Sequence, residues 1–206
     1  MPSLTNQDPG ELLQKLGEDG ARRAKLWLDS TTRVESTWSV YDKFGKDRLS
    51  YPWPNDDEAY SYDIGGIFYG GDLHKQAFLV ECKKYSSASQ GGHFDKFLAQ
   101  SYVTLRDYPH LADHFIWMTW HPFRINTWNE LSSETKIVKA LIREQERVFG
   151  TTGEDETGLS DQLDASVVAD LADRVWVIVL SDRQETLVIS REDRAEVMKL
   201  RILQES

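Results

Sequence analysis

The sequence predicts an α/β fold. Three observations carry that prediction. Apolar residues recur at helical spacing near the start of the chain, two apolar runs flank Gly70, Gly71 and Asp72, and Arg174 to Leu180 reads RVWVIVL, a β-branched run. With 206 residues, 40% hydrophobic and 28% charged, the chain can bury a sizeable core, and residues 1–206 are expected to form one domain.

Leu12, Leu13 and Leu16 open a helical pattern that Ala21, Ala24, Leu26 and Leu28 continue, with a break or bend expected near Gly17 and Gly20. Val34, Trp38 and Val40 alternate loosely with polar residues and predict a first strand over Arg33 to Tyr41. YPWPNDDEAY, rich in proline and acid, reads as a loop. Ser61 to Tyr69 and Gln76 to Tyr85 then predict a β-hairpin, because the glycines between them supply the positive φ that a chain reversal needs. Phe94, Phe97, Leu98, Tyr102 and Leu105 fall on one helical stripe that ends before Pro109, and HFIWMTW after Asp113 is a short buried strand.

Further on, Asn129 to Phe149 predicts a helix with Ile137, Leu141 and Val148 on its apolar side. The acidic segment beyond it suggests a loop and a short helix, and RVWVIVL a strand added to the sheet. Ser190 and Asp193 resemble a capping box that starts a last helix.

Composition narrows the function classes. No run approaches the roughly 20 apolar residues of a membrane span, and MPSLTNQDPG lacks the regions of a secretory signal, so a cytoplasmic location is expected. A single cysteine, Cys82, excludes a disulfide framework and any multi-thiolate zinc site. The net charge of −10 argues against nonspecific coating of nucleic acid. That charge is uneven, since seven acids stand against Arg174 alone between Gly153 and Arg174.

The chemistry concentrates in AFLVECKKY. Side chains alternate across a strand, so Leu79, Glu81 and Lys83 share one face while Phe78, Val80 and Cys82 share the other. In a hairpin turning at Gly70 and Gly71, the start of the first strand lies beside the end of the second, which brings Asp63 to Glu81 and Lys83. Two carboxylates with the Cys82 carbonyl make an oxygen site suited to Mg²⁺ or Mn²⁺, and such a metal activates water beside a phosphate while Lys83 orients that water or stabilises charge. A Glu-x-Lys strand is also an ordinary exposed surface pattern, so the placement of Asp63 is what raises it above that reading.

Asp63, followed by the hydrophobic run into Glu81-Cys82-Lys83, resembles the signature of the PD-(D/E)xK, restriction-endonuclease-like nucleases, although Tyr62 stands where the literal motif has proline. The resemblance implies a central mixed β-sheet flanked by helices, with its core over about 11–123 and C-terminal strand and helix additions over about 124–206. It implies a Mg²⁺-dependent nuclease, more readily a DNA than an RNA endonuclease, acting in defence against phage, restriction or repair. Asp63, Glu81 and Lys83 would be its catalytic residues. The same comparison suggests Glu18, with Glu35 as its rival, as an auxiliary metal-binding acid, and Gln100 as a partner of the lysine or of a substrate phosphate. A homodimer or an activating protein partner is compatible with such an enzyme.

His93 lies near the proposed site but equally reads as a helix-start residue, His110 and His114 read as loop, and Trp117 reads as core. The rival function is a noncatalytic binding or regulatory subunit that keeps the nuclease fold and uses its negative charge to contact a basic protein.

Overall fold

The computed structural model describes residues 9–84 and 90–205, without the side chains of residues 9–13, 35, 36, 204 and 205. In chain order the elements are α1 (Pro9–Ser30), β1 (Val34–Ser39), α2 (Gly45–Leu49), β2 (Ser50–Pro52), β3 (Ala59–Ser61), β4 (Ile64–Phe68) and β5 (Ala77–Lys83). They continue with α3 (Gln90–Asp107), β6 (His114–Thr119), α4 (Glu134–Arg143), α5 (Gln145–Phe149), α6 (Ala165–Arg174), β7 (Val175–Val179), α7 (Asp182–Glu185) and α8 (Arg191–Glu205). The expected α/β class holds, as a central mixed sheet flanked by helices. Among the described residues, no helix is long and apolar enough to cross a membrane.

The five-stranded sheet runs β1-β4-β5-β6-β7. β1, β4 and β5 pair antiparallel, whereas β5, β6 and β7 pair parallel through helical crossovers. The expected hairpin is present: Ile64 faces Val80 and Ile67 faces Ala77, with Gly70 and Gly71 at φ of 72° and 64° in the reversal. β5 is central and buried on both faces, as its period-2 sequence requires. Leu79 joins Phe115, Trp117, Phe94 and Phe97 in a core under α3, α4 and α6. Phe78, Val80 and Cys82 join Ile116, Met118 and Ile64 in a second core under α1, which contributes Ala21, Ala24 and Leu28. Each buried aliphatic or aromatic side chain of this kind contributes roughly 1.5–3 kcal/mol relative to exposure.

Three expectations are corrected. α1 runs through Gly17 and Gly20 without a break, because those glycines serve close packing: a Cβ on Gly17 would stand 2.8 Å from the Tyr41 hydroxyl, and one on Gly20 would stand 3.2 Å from Lys84 Cβ. YPWPNDDEAY is not simply a loop, since its ends pair as β2 and β3 with Tyr51 opposite Tyr60. Its aromatic rings build a small core of their own, with Trp53 and Tyr60 centroids 4.7 Å apart, and the hydroxyls of Tyr60 and Tyr62 both meet Thr104 Oγ1. The helix expected over Asn129 to Phe149 begins later, where Ser133 accepts a capping bond from Lys136 N–H, and Glu144 (φ −104°, ψ 20°) divides it into α4 and α5.

A buried carboxylate fastens α3 to its neighbours. Asp95 is 1% exposed and receives both guanidinium nitrogens of Arg124 at 2.8 Å, together with Lys136 and Arg143 from α4. Burial pushes its carboxyl up, but the hydrogen bonds from Arg124 and Lys136 outweigh that and leave it below the usual carboxylate range. Asp95→Ala strands buried cations and is expected to cost about 3–5 kcal/mol in urea unfolding. Arg143→Ala, whose side chain is 60% exposed, is expected to cost less than about 1 kcal/mol in the same assay.

Candidate functional site

The backbone of Asp63 ties three strands together. Its N–H donates to Val80 O and its carbonyl accepts from Val40 N–H, both at 2.9 Å, which fixes the residue just ahead of β4 and beside the end of β5. Its side chain turns to β5, where Oδ2 accepts the Cys82 N–H at 2.7 Å. Two residues of one strand face point the same way, and Glu81 and Lys83 accordingly form an ion pair of 2.6 Å with side chains 14% and 18% exposed. The sequence therefore brought Asp63, Glu81 and Lys83 together correctly.

The electrostatics of this group are set by burial. The Asp63 carboxyl is raised to about 8, first by desolvation and then by the neighbouring Glu81 carboxylate, against the opposing pull of Lys83 and the Cys82 N–H. Tyr41 stands beside it. Burial and then the Asp63 charge push the Tyr41 hydroxyl up to about 12. On the other side, burial and then the Lys83 cation hold His93, in the first turn of α3, below the usual imidazole range.

The end of β5 is further secured from β6 and α3. Thr119 Oγ1 donates to the Lys83 carbonyl at 3.0 Å and accepts from Gln90 Nε2 at 2.8 Å. Gln90, 5% exposed, is thus the helix glutamine bonded into the Lys83 strand end. Gln100 is also buried, but it lies about 15 Å further along α3 at a rise of about 1.5 Å per residue. Among the α1 acids, Glu18 is exposed, and it is Asp19 that reaches Lys84 as an ion pair. That contact, followed by the hydrogen bond from Arg22, holds the Asp19 carboxyl below its ordinary range.

The Glu35 and Tyr85 side chains lie outside the described residues. Cys82 turns its side chain into the α1-side core, and burial pushes its thiol well up. Among the described residues, no three His, Cys, Asp or Glu side chains gather in a group able to hold a metal ion.

Gln90, Asp19 and Tyr41 were missed from the sequence. A signal for Gln90 existed in its position at the start of α3, one turn before the apolar stripe, whereas nothing local distinguishes Asp19 from Glu18.

No protein-family model matches the chain, and no curated protein matches it. Among solved structures, it is similar to the Acinetobacter baumannii Cap4 SAVED/CARF-domain containing receptor, at 14% identity and a TM-score of 0.36, over 89% of this chain and 39% of that one. The same receptor with the cyclic trinucleotide 3'3'3'-cAAA matches at 15% identity and a TM-score of 0.36, over 89% and 37%. A Moraxella osloensis Cap4 SAVED/CARF-domain containing receptor matches at 12% identity and a TM-score of 0.29, over 88% and 34%. The chain thus spans less than two fifths of the length of these receptors. These solved structures are described as receptors, in two cases with a cyclic trinucleotide, and the expectation of a Mg²⁺-dependent DNA endonuclease is not borne out by those descriptions.

Proposed function

We propose that the chain is a noncatalytic regulatory module that retains a restriction-endonuclease-like core and works by binding a partner. The order α1, β1, β4, β5, α3, β6 around a mixed sheet supports that core, with β7 and α8 as additions to it.

One observation carries the reading: the Asp63, Glu81 and Lys83 group is neutralised from within. Glu81 is paired with Lys83 at 2.6 Å, and the Asp63 carboxyl, raised by burial and then by the Glu81 charge, accepts the Cys82 N–H. On this reading the group is a structural polar cluster that closes the end of β5, and the surface does the work.

The acidic surface agrees with that division. Glu154, Asp155, Glu156, Asp161, Asp164, Asp170 and Asp173 are all exposed, on α6 and the segment before it. Asp164 caps α6 and is anchored through its N–H to the Tyr102 hydroxyl at 3.0 Å, while Leu159 is fully buried beneath the loop. A fixed acidic surface of this kind suits a basic protein surface better than duplex DNA, whose phosphates it repels.

Two outcomes are expected. Supercoiled, linear and single-stranded DNA, and RNA, remain uncut by the purified chain in Mg²⁺ or Mn²⁺; metal-dependent cutting that disappears in Asp63→Ala would overturn the proposal. The raised Asp63 carboxyl also predicts a pH dependence. Because folding favours its protonated form, its contribution is complete below about pH 4 and is lost as pH rises towards 8. Wild type is expected to lose up to a few kcal/mol relative to Asp63→Asn across that window, at about 1.4 kcal/mol per pKa unit, read from thermal unfolding of both proteins at each pH.

A further inference from the structure

The two edges of the five-stranded sheet are chemically unlike. β1, at one edge, is polar in sequence (VESTWS), and its pairing with β4 shifts register between Val34 and Ser36, features that discourage a further strand from joining. β7, at the other edge, reads VWVIV and has no charge, proline, glycine or register shift. Among the described residues it pairs with β6 alone, and Trp176, Val177, Ile178 and Val179 are half-buried.

The direction of its backbone groups follows from one bond. Leu180 N–H donates to Thr119 O at 2.8 Å, towards β6. Peptide groups alternate sides along a strand, so Trp176 and Ile178 also bond to β6, while Val175, Val177 and Val179 point their N–H and C=O groups away from the sheet. A strand that met this edge would find a regular row of donors and acceptors.

The edge is complementary to itself. An antiparallel pair about a two-fold axis at Val177 puts Val175 opposite Val179 and Val177 opposite its own copy, pairs that each exchange both N–H···O bonds. The same register puts Trp176 opposite Ile178, so every cross-strand pair is apolar on both faces. The flanking charges match as well. Asp173 precedes β7 and Arg183 follows it, both are exposed, and among the described residues neither has an ion-pair partner. Antiparallel pairing brings Asp173 of one copy to the strand end where Arg183 of the other stands, whereas parallel pairing in register would set like charge against like.

From this we infer that β7 is a homodimer interface, at which a second copy of this chain adds its own β7 antiparallel and makes one continuous sheet through both protomers. The inference goes beyond the regulatory reading and does not rest on the Asp63 cluster.

The test is light scattering of the full chain over a concentration series, joined to amide exchange followed by NMR. The chain is expected to be a dimer in which the Val175, Val177 and Val179 amides are protected. Val177→Pro removes an N–H that a single copy does not use, and is expected to give a monomer, folded by circular dichroism, whose Val175 and Val179 amides exchange freely. Arg183→Asp is expected to weaken the dimer by about tenfold, because the two-fold axis repeats each exposed pair, and Asp173→Arg in the same chain is expected to restore it. A monomer at every concentration, a dimer that persists in folded Val177→Pro, or a dimer whose three valine amides exchange freely would overturn the inference. Unchanged association in Arg183→Asp would overturn it as well, whether or not Val177→Pro folds.

Discussion

A sheet packed by helices on both faces leaves little water at its strand ends, and charged groups placed there must find their counter-charges within the protein. The end of β5 shows how this chain meets that constraint. Glu81 and Lys83 neutralise each other at 2.6 Å, burial and then the Glu81 charge raise the Asp63 carboxyl, and its oxygen takes the Cys82 N–H. Much of the local architecture follows. The β4–β5 hairpin sets the register that brings Asp63 alongside, Thr119 and Gln90 fix the Lys83 carbonyl, and Gly17 and Gly20 let α1 approach Tyr41 and Lys84 closely.

The α3, α4 and α6 side of the sheet carries the exposed acids of α6 and its preceding segment. The core beneath is well braced. Asp95 holds three cations from the α4 side, and the aromatic groups of β2 and β3 seal the edge through Thr104.

Much of this was legible in the sequence wherever one local rule decided the outcome. The alternation of Phe78, Leu79, Val80 and Cys82 gave the two faces of β5, the glycines at 70 and 71 gave the hairpin, and Ser190 with Asp193 gave the start of α8, where Asp193 N–H does bond Ser190 Oγ at 3.0 Å. What was not legible depends on contacts between distant residues. Gly17 and Gly20 read as helix breakers because their packing partners, Tyr41 and Lys84, are remote in sequence. Gln90 meets Thr119, and Asp19 meets Lys84, only once the fold is formed. The function followed the same division. A motif states which residue types stand near one another, as it does for Glu81 and Lys83, but the raised carboxyl of Asp63 comes first from burial, which spacing does not encode.

The most direct measurement is the titration of the Asp63 carboxyl itself, followed by carbon-detected NMR in protein labelled at aspartate, with Asp63→Asn to identify the resonance. The account predicts a midpoint well above the ordinary aspartate value of about 3.9, near neutrality or higher. A midpoint at or below about 4 would show an ionised carboxylate standing beside Glu81 at neutral pH, and would contradict the closed, internally neutralised cluster on which the account rests.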